Sequence, residues 1–115
     1  MNSPFTTMLQ SLMRLRGVSA TMLVDEHDGT IIDSVLQFGQ DGDRVAALSA
    51  SLHRKARLSA GAAGMGGVTF MELEAESGRV CAAGREDMVL VVVAAPAANV
   101  GLVRVEMLKA VRALA

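Results

Sequence analysis

The stretch of this chain richest in metal-binding residue types is Asp25-Glu26-His27-Asp28. Carboxylates and imidazoles bind Ca²⁺ or Zn²⁺, but consecutive side chains in a tight turn point in divergent directions and cannot close a coordination shell around one ion. Asp and Gly are also typical turn residues, and Gly29 follows directly. We therefore predict a solvated turn and no metal site.

Gly61 and Gly66 have the spacing of the two glycines in a phosphate-binding P-loop. That loop requires Lys and then Ser or Thr after its second glycine, whereas this chain has Gly67 and Val68. The glycines also leave a predicted helix, whereas a P-loop follows a strand. Nucleotide binding by this segment is not expected.

Cys81 is the only cysteine, so no intrachain disulfide can form, and a reduced cytoplasm is the expected location. Neither His27 nor His53 is close to it in sequence, which favours a buried structural thiol over a nucleophile. No Ser-His-Asp set or catalytic pair of carboxylates can be assembled, because the acids fall in predicted turns or on strand faces. We therefore expect a protein that is not an enzyme and has no cofactor.

Positive charge is concentrated on the second predicted helix. Residues 44–71 contain four basic residues and no acid, and three glutamates follow at positions 72, 74 and 76. At 100° per residue, most of these basic side chains share one helix face with Ser51 and Leu58. On charge alone, an ordinary solvated face is the simpler interpretation. The alternative is a partner-binding surface made of Arg44, Ser51, Arg54, Lys55, Arg57 and Leu58.

The elements that position these residues can be read from turn signals and hydrophobic periodicity. A first helix is predicted to start with Ser3 as its N-cap and Pro4 as its first helical residue. Gly17 is predicted to end it. Two β-rich runs, residues 20–24 and 30–36, flank the turn at 25–29 and predict a hairpin.

The second helix is predicted to open at residues 41–43 and to stop at the glycines from Gly61 onward. Its apolar residues at helical spacing are predicted to face the core. A flank of alanines beside them could pack against a partner helix. The core stripe comprises Val45, Leu48, Leu52 and Ala56, and the flank comprises Ala46, Ala50 and Ala60.

Residues 68–74, 80–84 and 88–94 are predicted as three strands joined by short turns, and so as an antiparallel meander. The last of them has no polar residue from 88 to 93, which is typical of a central strand covered on both faces.

Asn99 is predicted to cap the final helix. The core stripe of that helix includes Val103 and Met107, whereas Leu102 and Val105 fall on the opposite side and could serve a second surface.

Length and composition exclude several classes of protein. The 115 residues fit one domain, 1–115, with no fused segment expected at either end. The formal net charge of −1 provides no overall field to attract nucleic acid. The longest apolar run, residues 88–98, is far shorter than the ~20 residues that span a bilayer. We expect a soluble cytoplasmic protein without a nucleic-acid partner or a membrane-inserted segment.

The order helix, hairpin, long helix, three-strand meander, helix resembles the Roadblock/LC7 domain family, and the resemblance covers nearly the whole chain. Several local stretches fit it in order and spacing. They are Arg16-Gly17-Val18, Leu23-Val24-Asp25 with Asp28-Gly29, Ala46-Ala47-Leu48, and Asn99-Val100-Gly101-Leu102-Val103-Arg104.

The resemblance implies an α/β sandwich of the α+β class with profilin/longin-like Roadblock/LC7 architecture. Its five-stranded antiparallel sheet would have the long second helix on one face and the first and last helices on the other. It also implies a homodimer that joins third strands edge to edge and second helices side by side. The residues agree, because 68–74 would form an unprotected sheet edge. The predicted dimer interface consists of Ala46, Ala50, Thr69, Met71 and Leu73.

The resemblance further implies a regulatory function, since bacterial members commonly act with Ras-like small GTPases as activators or scaffolds. Our first hypothesis is a homodimer that binds such a GTPase and modulates its nucleotide state without chemistry of its own. An arginine-finger activator and a scaffold subunit that pairs with another Roadblock chain are variants of it. A PAS-like sensory domain is the alternative, but it needs a ligand cavity between sheet and helix, and the lack of Trp and Tyr argues against one.

Overall fold

The computed structural model describes residues 3–114. Their strands form one five-stranded antiparallel sheet in the order β2-β1-β5-β4-β3. The fold class and the order of elements are as predicted. The elements are α1 (Thr6–Met13), β1 (Val18–Asp25), β2 (Ile31–Leu36), α2 (Gly42–Ala62), β3 (Met71–Ala75), β4 (Gly78–Arg85), β5 (Met88–Ala94) and α3 (Val100–Arg112).

Helices pack on both faces of the sheet. On one face, Leu9 of α1 and Met107 of α3 share a core with Leu90 of β5. On the other face, Ala46 of α2 shares a second core with Val91 of β5. Strand β5 therefore lies in the centre and is buried on both sides, as its uninterrupted apolar sequence predicts.

The first helix begins later than predicted. The Ser3 hydroxyl donates to Asp33 on β2, which also accepts a hydrogen bond from the Thr6 hydroxyl. Ser3 therefore fastens the chain to the sheet before α1 starts at Thr6. Gly17 lies three residues beyond the C-cap Arg14, where its φ of 88° turns the chain into β1.

Helix α3 is capped by Asn99, as predicted, and β5 has its predicted bounds, whereas the bounds of the other strands differ. The side chain of Asp41 accepts a hydrogen bond from the backbone N–H of Arg44 at 3.1 Å and so caps α2. The side chain of Asn99 accepts one from the backbone N–H of Leu102 at the same distance and caps α3. Strand β3 begins only at Met71, so Thr69 lies outside it, and β4 begins at Gly78 instead of residue 80.

Gly84 of β4 allows close contact between the sheet and α2, and this contact can be tested. A Cβ at Gly84 would lie 2.5 Å from Cε1 of His53, whose ring is buried. Gly84→Ala should therefore force the ring or the helix outward and lower the free energy of unfolding by about 1–3 kcal/mol. Gly61→Ala is the control, because a Cβ there meets nothing within 4 Å. Urea denaturation measures both, and an unchanged midpoint for Gly84→Ala would contradict the contact.

Candidate functional site

The face of α2 that meets the sheet is made mainly of small side chains, which let the helix axis approach the strands closely. The one large side chain on this face is that of His53, whose imidazole lies over Gly84. The buried residues of the helix are Gly42, Ala46, Ser49, Ala50 and His53.

The prediction of the α2 core stripe holds only for Val45, which packs against the core on this face of the sheet. Leu48, one of its four residues, has 43% of its surface exposed, and the other three are only half-buried. Two of the three alanines predicted to meet a partner helix, Ala46 and Ala50, pack against the sheet instead, with 0% and 2% of their surfaces exposed. This part of the predicted dimer interface is therefore corrected, because the side chains are out of reach of a second chain.

Glu26, predicted to lie in a solvated turn, is buried beneath α2 with 3% of its surface exposed. One carboxylate oxygen lies 2.6 Å from Nδ1 of His53, which donates to it. The other accepts from Nε and Nη2 of Arg57 at 3.0 and 2.8 Å. A buried carboxylate needs such partners, and here both are supplied by α2. We call Glu26, His53 and Arg57 the buried triad.

The triad keeps the Glu26 carboxyl ionised. Burial by itself raises the pKa of Glu26, but the hydrogen bonds from Arg57 and His53 outweigh burial and hold its pKa below the ordinary value of 4.5. The β1–β2 turn is therefore joined to α2 by a charged contact at neutral pH. Sequence reasoning missed this contact, and the one available signal was a histidine spaced three residues after Ala50 and seven after Ala46.

The basic residues of α2 divide into two groups. Nη1 of Arg54 donates to the backbone carbonyls of Glu26 and His27 at 3.2 and 3.1 Å, so Arg54 is bound to the hairpin, as Arg57 is. The remaining members of the predicted partner surface are directed outward or half-buried. Arg44, Lys55 and Leu58 are exposed, and Ser51 is half-buried.

Ser51 and Arg54 also line a groove between α2 and the β1–β2 turn. Its volume is about 100 Å³, below the ~300–1,000 Å³ of small-ligand sites. This geometry does not favour the PAS-like alternative at that position.

Helix α2 leaves part of its sheet face uncovered. Met22, Val91 and Ala82, which lie side by side on β1, β5 and β4, are fully buried beneath it. A second row across all five strands, two residues along each strand from the first, is also apolar. Its two ends are 38–39% exposed, two of its inner residues are half-buried, and the third, Ala20, is buried. We call this second row the open row. It consists of Leu36, Ala20, Val93, Val80 and Leu73.

The apolar flank of α2 faces the open row. Arg54, on the opposite flank, bonds to the β1–β2 turn, at the far end of β1 from Ala20. The residues on the other side of the helix therefore face the end of the sheet that carries the open row. They are Val45, Leu48, Leu52 and Ala56, the stripe that was predicted to be core.

Strand β3 forms the sheet edge next to this surface. Met71 is half-buried and Leu73 is 39% exposed on the α2 side of the strand. On β3, Glu72 and Glu74 bond to Arg79 of β4 at 2.8 and 3.5 Å. The outer backbone groups of β3 remain available to pair with another strand.

The other residues considered for chemistry do not form a site within residues 3–114. Cys81 is fully buried, and burial raises the pKa of its thiol to about 11, which suppresses the reactive thiolate. No group of three or more His, Cys, Asp or Glu in this part of the chain is arranged to hold a metal ion. No helix of these residues is long and apolar enough to cross a membrane.

A sequence model of the Roadblock/LC7 domain matches residues 4–94. The chain belongs to the Roadblock/LC7 family. The Roadblock/LC7 domain from Streptomyces avermitilis superposes with a TM-score of 0.85 at 22% identity, over 97% of this chain and 95% of that one. No curated protein matches the sequence significantly.

Two other solved structures share this Roadblock/LC7 fold. MglB from Myxococcus xanthus has a TM-score of 0.82 and 24% identity, over 97% of this chain and 94% of that chain. The gliding protein MglB from Thermus thermophilus has a TM-score of 0.83 and 20% identity, over 99% of this chain and 90% of that chain. At these identities the likeness establishes the fold, and the surfaces must be argued from this chain's own residues.

The buried triad makes the stability of this Roadblock/LC7 domain depend on pH. Glu26→Gln should lower the free energy of unfolding at pH 7 by about 2–3 kcal/mol. The substitution removes the negative charge that accepts hydrogen bonds from His53 and Arg57. The folded pKa of Glu26 is depressed, so this contribution is present above pH 4.5 and is lost as pH falls through the folded pKa. Denaturation from pH 7 to pH 3 measures the difference between variant and wild type.

Glu76→Gln is the matched control for that experiment, since Glu76 is exposed in the β3–β4 turn. Its effect should be small at every pH. A Glu26→Gln deficit equally large at pH 3 and pH 7 would show that the charge is not what stabilises the contact.

Proposed function

We propose that this chain is a non-enzymatic homodimeric regulator that binds a Ras-like small GTPase and modulates its nucleotide state. The observation that carries the proposal is the open row beside the apolar flank of α2. Two adjoining apolar surfaces, both partly exposed, favour burial by a second protein surface of the same kind.

A second copy of the chain fits this surface. In a two-fold arrangement, the α2 flank of each protomer would pack over the open row beside its partner's α2, and the two β3 edges would pair. The dimer interface proposed from the geometry keeps Met71 and Leu73 from the sequence prediction. It leaves out Thr69, which precedes β3, and replaces Ala46 and Ala50 by Val45, Leu48 and Leu52.

The GTPase would bind on the outward faces of the paired helices. Lys55 and Leu58 are exposed there, and a dimer would bring both copies onto one side. Positive charge speeds the encounter with an acidic partner, and a desolvated leucine would hold the complex once formed. The partner class is supported by membership of the Roadblock/LC7 family and by the regulatory role that the resemblance implies.

The dimer can be tested with charges placed in the proposed interface. Leu48→Asp and Leu73→Asp should each yield monomers, because a carboxylate would be buried without a partner. Leu102→Asp on α3 is the control and should remain dimeric, since Leu102 is 46% exposed on the other side of the sheet. Sedimentation velocity at micromolar concentration gives the answer. A monomeric wild type, or dimeric Leu48→Asp and Leu73→Asp, would refute the arrangement.

The GTPase surface can be tested by binding kinetics. Capture with and without a GTP analogue identifies the GTPase, and surface plasmon resonance then compares variants that remain dimeric. Lys55→Glu should mainly slow association, whereas Leu58→Asp should mainly speed dissociation, each by about tenfold. Lys109→Glu on α3 is the charge-matched control. Wild-type rates for both α2 variants would place the GTPase elsewhere.

A further inference from the structure

The layer formed by α1, α3 and their connecting loops is strongly basic. Residues 3–17 and 95–114 contain five of the eleven Lys and Arg residues and one of the twelve Asp and Glu residues. That acid, Glu106, lies 3.4 Å from Lys109. The other four cations of the layer form no ion pair with an acid within residues 3–114. They are Arg14, Arg16, Arg104 and Arg112.

An apolar groove runs through this basic layer. One part, about 360 Å³, lies between the α1–β1 and β5–α3 loops and is lined by Leu15, Ala98 and Leu102. A second part, about 300 Å³, lies between α1 and α3 and is also lined by Leu15. Together they follow α3 from Asn99 to Ala110, about 16 Å at 1.5 Å per residue. We call this the α1–α3 groove.

The surface beside the groove is itself partly apolar. Leu102 is 46% and Val105 49% exposed, and they lie one helical turn apart on α3. Lys109 and Arg112 follow on the same outward face, and Arg16 lines the groove from the opposite side. The groove therefore has an apolar floor over about three helical turns, with Arg16 on one side and the paired Lys109 and Glu106 on the other.

We propose that the α1–α3 groove binds an acidic amphipathic helix of a partner protein. Such a helix would place two apolar side chains, about two turns apart, into the two parts of the groove. Acidic residues on its flanks would face Arg16, which lines the groove, and Arg112 beside it, neither of which pairs with an acid within residues 3–114. The apolar floor is recessed between α1 and α3, which suits inserted side chains better than a flat lipid surface.

This interface is independent of the proposed dimer. It lies on the sheet face covered by α1 and α3, whereas the open row lies on the face covered by α2. A monomeric variant should therefore still bind the acidic helix.

The test uses a synthetic helical peptide of about 15 residues, with leucines at seven-residue spacing and glutamates on its flanks. A matched peptide carries lysine in place of each glutamate. Fluorescence anisotropy with the full chain should show binding of the acidic peptide only, weakening as salt rises. Leu102→Asp and Arg16→Glu should each weaken binding by at least about tenfold, and Leu58→Asp on α2 should not.

Circular dichroism checks that each variant is folded. Equal binding of both peptides, no binding of the acidic one, or wild-type affinity in the groove variants would overturn the proposal. Vesicles of phosphatidylcholine and phosphatidylserine in equal parts provide the last arm. Vesicle binding that is lost in the same variants, without peptide binding, would assign the surface to a membrane and also overturn the proposal.

Discussion

A single α-helix is about 10 Å wide, whereas a strand of eight residues, such as β1 or β4, extends for about 26 Å. Two helices can cover one face of such a sheet, but α2, which crosses the other face alone, cannot. The least covered part of that face is the open row, and it is apolar in every strand. This shortage of cover explains why the larger aliphatic residues of α2 lie on the flank beside the row and not beneath the helix.

The small residues beneath α2 allow close packing but contribute little apolar area, so other contacts must fix where the helix lies. The buried triad and the bonds from Arg54 supply them, by joining the second half of α2 to the β1–β2 turn. Buried ion pairs often add little net stability, because desolvation of the charges offsets their attraction. Their effect here is directional: a helix displaced along the sheet would leave Glu26 buried without a partner.

Much of the fold could be predicted from the sequence, because its signals are local. The hairpin, the bounds of β5 and the cap at Asn99 depend on residues within a few positions of one another. The Ser3 hydroxyl accepts from the backbone N–H of Phe5, as a capping residue would, but it also donates to Asp33, thirty residues away, and α1 begins only at Thr6. Glu26 was assigned to solvent because its partners on α2 are 27 and 31 residues distant.

The error on α2 has a different cause. Periodicity finds the most apolar stripe of a helix but cannot show whether that stripe meets its own sheet or a partner. In a monomer the two are usually the same. Here they differ, because Ala46, Ala50 and His53 face the sheet while the larger side chains lie beside the open row. The stripe was therefore detected correctly, but apart from Val45 it was assigned to the wrong neighbour.

Each face of the sheet carries an apolar surface beside basic side chains, so each can bind a partner of its own. In the proposed dimer the two sheets would continue through β3, so both α2 helices would lie on one side and both α1–α3 layers on the other. A net charge of −1 conceals this arrangement, because the acids at β3 and in the turns offset a layer that is itself basic. A GTPase on the α2 side and acidic helices on the other could then be bound together. Pairing would also present two α1–α3 grooves at once, so a partner with two acidic helices would bind the dimer more tightly than the monomer.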